Sequence, residues 1–213
     1  MKKEPLIAVI DYGMGNLRSV SKALEKAGGR VLVTESPAAI DSAQGVVLPG
    51  VGAFGDASKR LIQTKLAQAA IRALERGLPF LGICLGLQLL FEQSDESGRQ
   101  KGLGFWKGRV QRFPSRSKLK VPHMGWNTLL PAKNNKSILL SGLKKDDYFY
   151  FVHSFYPVPE DKSVIATTTS YGNAFCSAAG AGNVFATQFH PEKSGAPGQR
   201  LLKNFVKQVQ TCS

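Results

Sequence analysis

Short apolar runs and longer amphipathic stretches alternate through the first 96 residues, and this alternation restricts the possible folds more than any other feature. "LIAVID" (6–11), "RVLVTE" (30–35), "GVVLPG" (45–50) and "LPFLGI" (78–83) read as strands. Between them "NLRSVSKALEKAGG" (16–29), "DASKRLIQTKLAQAAIRALERG" (56–77) and "LGLQLLFEQSDE" (85–96) carry the three- and four-residue spacing of helices. Strands that are apolar nearly throughout are buried on both faces, which calls for a parallel sheet with helices on each side. The expected fold class is therefore α/β, with an open, mostly parallel sheet.

The second half changes character. "KGRVQRF" (107–113), "DYFYFVH" (147–153), "SVIATTTS" (163–170), "AFCSAA" (174–179) and "NVFATQFH" (183–190) read as strands with few helices between them. "GAGN" (180–183) joins the last two as a hairpin, so antiparallel strands are expected here. "APGQRLLKNFVKQVQ" (196–210) closes the pattern as a helix with Pro197 near its start. No internal repeat or linker interrupts the pattern, and residues 1–213 are expected to form one domain.

An apolar content of 43% with 20% charged residues suits a globular chain and is unlike that of disordered ones. No apolar run approaches the roughly 18 residues of a membrane span. The start, "MKKEPLIAVIDYG", has the lysines and apolar run of a signal peptide, but the run ends at Asp11 and reads better as a first strand. Three cysteines without C-x-x-C spacing suggest neither a disulfide framework nor a zinc site, and a cytoplasmic location is expected.

The net charge of +13 is concentrated: residues 97–145 hold twelve Lys or Arg and no Asp or Glu. Such a segment can attract nucleic acid, phosphorylated metabolites or an acidic partner, or can simply be a solvated face. Its aromatics, Phe105, Trp106, Phe113 and Trp126, form no RNA-binding signature.

Two stretches carry candidate chemistry. In "LGICLGLQLL" (81–90), Cys84 lies between Gly82 and Gly86 where a strand gives way to a helix. That spacing is the nucleophile elbow, a sharp turn that exposes a reactive side chain. A buried structural cysteine, which packs as a small hydrophobe, needs no such glycines. "GVGAFG" (50–55) matches the dinucleotide fingerprint, yet the acid nearest the required offset, Glu75, falls inside a helix pattern. The glycine loop is better read as a source of backbone N–H groups for a developing negative charge.

A reactive cysteine needs a base, and there are three histidines. His123 lies in loop-like "PHMGWN" with no acid near it in sequence, and His153 ends an aromatic strand and can be a packed histidine. His190, in "QFHPEKSG", has Glu192 two residues on, on the same side of an extended chain stiffened by Pro191. A carboxylate there can fix the imidazole tautomer and stabilise the imidazolium. Cys84, the loop at Gly50–Gly52 and His190 all follow strands, and should meet at the carboxyl edge of the sheet.

"GICLGLQLLFE" with "QFHPEKSG" resembles the triad, or class I, glutamine amidotransferases. "DYGMGNL", "LPGVGAFGDA", "PHMGWN" and "YFVHSFYP" extend the resemblance from about residue 6 to residue 206, and are most similar to the branch that serves histidine biosynthesis. Phe155 departs from the tyrosine more usual there. The resemblance implies a flavodoxin-like fold and a Cys84–His190–Glu192 triad that hydrolyses glutamine to glutamate and ammonia. It further implies oxyanion donors at the Gly52 and Leu85 backbones. Substrate contacts would come from Gly50, Gln88, Glu96, Ser154 and Phe155, with Gln88 and Glu96 on one helix. No cofactor or metal is implied.

The chain shows no (β/α)₈ pattern, so the ammonia acceptor would be handled by a separate polypeptide; the resemblance implies a synthase (cyclase) subunit, a (β/α)₈ barrel, in a heterodimer. The resemblance also implies Asn16, Trp126 and Lys193 as partner-facing residues. Two alternatives stay open: the glutaminase subunit of another amidotransferase (anthranilate, aminodeoxychorismate or pyridoxal phosphate synthesis), and a basic nucleic-acid-binding α/β protein. No nucleic acid or membrane partner is expected.

Overall fold

The computed structural model describes residues 4–114, 119–133 and 137–212. Its first half runs β1 (Leu6–Ile10), α1 (Leu17–Lys26), β2 (Arg30–Thr34), α2 (Pro37–Asp41), β3 (Gly45–Gly50), α3 (Phe54–Gln63), α4 (Leu66–Glu75), β4 (Phe80–Cys84) and α5 (Leu85–Leu89). The second half adds β5 (Phe91–Ser94), β6 (Gln100–Lys101), β7 (Trp106–Arg112), β8 (His123–Thr128), β9 (Leu130–Pro131), β10 (Tyr148–His153) and β11 (Phe155–Pro159). Then come β12 (Ile165–Tyr171), β13 (Asn173–Ala181), β14 (Val184–Thr187) and α6 (Gly195–Thr211).

The main sheet has the order β2-β1-β3-β4-β14-β13-β12-β9. Its first five strands are parallel, in the flavodoxin-like arrangement, and the last three are added antiparallel. Alternate side chains of the central strands feed two cores. Ala8, Ile10, Val46 and Leu48 pack under α2 to α5, and Ile7, Val9, Val47 and Leu81 pack under α1 and α6. A two-stranded sheet, β10-β8, and a four-stranded one, β11-β7-β5-β6, complete the fold. The turn between β10 and β11, where those two small sheets meet, lines the cavity that also includes Cys84.

Several boundaries differ from the sequence pattern. The helix expected over 56–77 is broken at Lys65, whose φ is +61°. Thr64 bonds back to the Arg60 carbonyl at 2.7 Å, and α4 turns to lie along α2, where Arg72 pairs with Asp41 at 2.7 Å. The helix expected over 85–96 stops at Leu89, because Phe91–Ser94 gain backbone partners as β5 between β6 and β7. "PHMGWN", expected as loop, supplies all but the last residue of β8, which pairs across its full length with β10. β11 carries Pro157 and Pro159, which hide its strand character and confine it to a sheet edge. Arg116, Lys118 and Lys136 of the basic segment lie outside the described residues. Among the described residues no helix is long and apolar enough to cross a membrane.

Candidate active site

Cys84 ends β4 and starts α5, with φ +56° and ψ −106°, a backbone conformation that L side chains rarely adopt. The flanking glycines make this turn possible for a steric reason. A Cβ on Gly82 would stand 2.9 Å from the Ala186 Cβ, and one on Gly86 would run into the Leu48 carbonyl. Strand and helix therefore cross closer than any side chain permits, and the tight reversal presents the thiol at the sheet's carboxyl edge.

His190 comes from three residues beyond β14. Its backbone N–H donates to the Tyr150 carbonyl at 2.9 Å, a single bridge that ties the segment to β10. The expected extended run to Glu192 is replaced by a 3-10 turn over Pro191–Lys193, and this turn brings the carboxylate back to the ring. Glu192 Oε1 lies 2.8 Å from His190 Nδ1, with both side chains at most 2% exposed. The pairing places the Nδ1 proton on the Glu192 side. The other nitrogen, Nε2, is buried with no aligned hydrogen-bond partner, and its electrostatic neighbour is the Cys84 sulfur. Burial alone would lower the imidazole pKa; interaction with Cys84 and then Glu192 outweighs it and raises it well above the ordinary histidine value.

A cavity of about 310 Å³ opens over this pair, and its wall includes Gly52, Leu85, Gln88, Glu96, Ser154 and Phe155. Gly50 lies below rather than in the wall, packed against Tyr12 and Leu85, where a Cβ would not fit. Tyr12, passed over in the sequence, donates its buried hydroxyl to the Pro49 carbonyl at 2.9 Å and so fixes the root of the glycine loop. Burial, reinforced by Cys84, pushes the Tyr12 phenol above its ordinary range, so it remains a donor. Gly52 has φ +95°, which a side chain would strain. Gln88 Nε2 donates to the Phe155 carbonyl at 3.0 Å and to Gln188 Oε1 at 3.1 Å.

Glu96 is not on the helix with Gln88. It follows β5, and its Oε2 accepts the Phe54 N–H at 2.7 Å, which caps α3 at the far end of the glycine loop. Pro122, Val152 and His153 also line the cavity although the sequence did not single them out for it. Their signal was hidden because they reach the site only through the pairing of β8 with β10.

The three surface candidates lie on separate elements. Asn16 caps α1 through its side chain. Trp126, 55% exposed on β8, meets the Tyr150 ring edge-on at 5.9 Å, and Lys193 Nζ lies 5.7 Å from the centre of that same ring. Among the described residues no cluster of three or more His, Cys, Asp or Glu is placed to share a metal ion.

The family model "Glutamine amidotransferase class-I" matches residues 8–209. Three similar proteins are called imidazole glycerol phosphate synthase subunit HisH. That of Syntrophotalea carbinolica is 51% identical over 94% of this chain and 98% of its own. That of Thermosynechococcus vestitus is 52% identical over 97% and 98%, and that of Aquifex aeolicus 53% over 95% and 96%. Among solved structures, PurLQS from Thermotoga maritima superposes with a TM-score of 0.72 at 22% identity, over 96% of this chain and 99% of that one. The glutaminase domain of Trypanosoma brucei CTPS gives 0.65 at 16%, over 97% and 94%. These two likenesses are of fold alone. With its sequence matched nearly end to end and its cysteine, histidine and glutamate gathered at one sheet edge, this chain belongs to the class I glutamine amidotransferases.

Proposed function

We propose that this chain is the glutaminase subunit of an imidazole glycerol phosphate synthase, releasing ammonia from glutamine for a separate synthase subunit in histidine biosynthesis. The observation that carries the reading is the buried His190–Glu192 pair, at 2.8 Å, beside a strained Cys84 in a cavity large enough for an amino acid. The roughly 50% identity to three HisH subunits selects this branch.

Cys84 attacks the side-chain amide carbon of glutamine, and a C–S bond forms as the carbonyl electrons move to oxygen. The backbone N–H groups of Leu85 and Gly52 receive that oxyanion. His190, which takes the Cys84 thiol proton and holds it with the help of Glu192, passes it to the amide nitrogen, and the C–N bond breaks to release ammonia as the carbonyl re-forms. Water, deprotonated by His190, then cleaves the thioester to glutamate and restores the thiol. Both N–H bonds of Gln88 are committed within the protein, so its Oε1 is the atom left to accept the substrate ammonium, beside the Glu96 carboxylate. The Ser154–Phe155 backbone receives the substrate carboxylate.

In the heterodimer, the (β/α)₈-barrel synthase takes the ammonia onto its phosphoribosyl substrate to give imidazole glycerol phosphate and AICAR. Most ammonia is protonated at neutral pH and a poor nucleophile, which favours docked sites. Asn16, Trp126 and Lys193 form part of the docking face. The whole of 1–213 acts as one glutaminase domain. The unpaired Cys84 and Cys176 suit a reducing compartment such as the cytoplasm. The test is glutamate release by the chain co-expressed with its synthase subunit, with and without the phosphoribosyl substrate. No release in any state would overturn the reading.

A further inference from the structure

Where His153 lines the cavity, two buried histidines stand directly opposite each other across β8 and β10. His123 Nδ1 and His153 Nε2 are 3.0 Å apart. On one side, His153 Nδ1 lies 2.8 Å from the Phe155 carbonyl oxygen. On the other, the Asn127 amide nitrogen lies 3.4 Å from His123 Nε2. Neither imidazole is used by the chemistry described above.

The direction of every bond in this row is fixed. The Phe155 carbonyl can only accept, so His153 carries its proton on Nδ1, and its Nε2 is an acceptor. His123 must then donate from Nδ1, which leaves its own Nε2 to accept. The Asn127 amide agrees independently. Its oxygen accepts the Thr128 N–H at 2.9 Å and its nitrogen donates to the Ser170 carbonyl at 3.0 Å, so the remaining N–H points at His123. Protons therefore run one way, from Asn127 through His123 and His153 to the Phe155 carbonyl, with each imidazole neutral.

The surroundings hold that state. Tyr171 stacks on His123 at 4.0 Å and Phe151 at 4.9 Å, while Phe113 and Phe175 pack against both rings. Burial in this aromatic box pushes the pKa of His123 down to about 4 and that of His153 to about 3. Two imidazoles in an apolar box are costly unless every polar atom is satisfied, and here all four ring nitrogens have partners. The row ends on the same carbonyl that receives the Gln88 N–H at 3.0 Å. It begins on the strand whose opposite face exposes Trp126 and Met124.

We propose that His153, His123 and Asn127 are positioning residues for glutamine: their one-way hydrogen-bond row clamps the Phe155 carbonyl, and with it the Ser154–Phe155 backbone and Gln88 that hold the substrate's amino-acid end. This rests on the glutaminase reading and adds to it residues outside the Cys84, His190 and Glu192 set.

The experiment uses the full chain co-expressed with its synthase subunit, as wild type, His153→Phe, His153→Gln and His123→Phe. KM and kcat for glutamine are measured with the rates at which Cys84 is inactivated by iodoacetamide, which has no amino-acid end, and by the diazoketone analogue of glutamine, which has one. Both phenylalanine variants should raise KM about tenfold and slow the diazoketone about tenfold, leaving iodoacetamide within about twofold. His153→Gln, which keeps one donor and one acceptor, should recover most of that loss. Unchanged KM, or an iodoacetamide rate that falls in step with the diazoketone rate, would overturn the proposal. Nitrogen NMR of the wild type supplies a test without substitution: both imidazoles should be neutral with the proton on Nδ1, and an Nε2 proton on His153 would overturn it as well. A wild-type complex that hydrolyses no glutamine would instead overturn the glutaminase reading itself.

Discussion

The carboxylate of Glu96 accepts the backbone N–H of Phe54 at 2.7 Å across 42 residues of chain, and so pins the far end of the glycine loop whose near end Tyr12 holds at Pro49. The loop between these two anchors carries Gly52. A side chain expected only to contact substrate thus also supports the loop proposed to offer an oxyanion donor. Glu96→Ala should cost about 1 kcal/mol of stability through the lost helix cap, while Glu96→Gln, which keeps an acceptor, stays within a few tenths. Both should raise KM for glutamine. Urea unfolding alongside steady-state kinetics separates the two roles, and equal stability losses would remove the capping account.

Cys84→Ala should abolish glutamine hydrolysis in a protein that remains folded and binds its synthase subunit. The φ of +56° adds a second expectation, because the strain belongs to any L residue at this turn. Cys84→Gly should therefore be more stable than Cys84→Ala by about 1 kcal/mol, read from thermal unfolding of the two inactive variants. Retained hydrolysis in either would put the nucleophile elsewhere.

Unequal losses are expected within the His190–Glu192 pair. His190→Ala removes the proton carrier and should approach the cysteine variant in kcat. Glu192→Gln can keep an acceptor near His190 Nδ1 and should leave measurable turnover. Should His123→Ala or His153→Ala lower kcat more than His190→Ala, the base has been misassigned.

Release of ammonia should depend on the partner. A glycine loop can turn the Val51–Gly52 peptide toward or away from the cavity at small cost, and one absent oxyanion donor is worth about a hundredfold in kcat. The isolated chain should thus be slower by about that factor than the complex holding its phosphoribosyl ligand. At Gly52 a Cβ would stand 2.9 Å from the Met14 methyl, so Gly52→Ala should blunt the activation. Equal kcat in all states would refute loop control.

The buried neutral histidines set the sign of an acid effect. His123 and His153 titrate at about 4 and about 3 in the fold against an ordinary 6.5, so below that value the unfolded chain binds more protons. Their contribution is full above pH 6.5, declines as pH falls, and is gone once pH passes below both folded values. The raised His190 acts oppositely: its contribution is full below 6.5 and is lost as pH rises through its folded pKa. Urea midpoints should therefore fall from neutral pH toward pH 5, and His153→Gln should flatten that acid limb. A flat acid limb in the wild type would contradict the buried neutral state.

The parallel half of the fold was legible in the chain alone, because helices and buried strands each impose their own period on local residues. Cys84 was legible too, since glycines two residues to either side mark a turn too tight for side chains, as was His190 with Glu192, its neighbour in the chain. Features that depend on distant pairing were set by the assembled fold. Whether residues 91–94 extend a helix or form a strand was settled by the backbone partners that β6 and β7 offer. Glu96 was given a new place by the same change, and β8 became a strand only against β10. The row from Asn127 to Phe155 could not be read at all beforehand. Its bonded partners are 2 to 30 residues apart, and hydrogen-bond direction is fixed only once all are in contact.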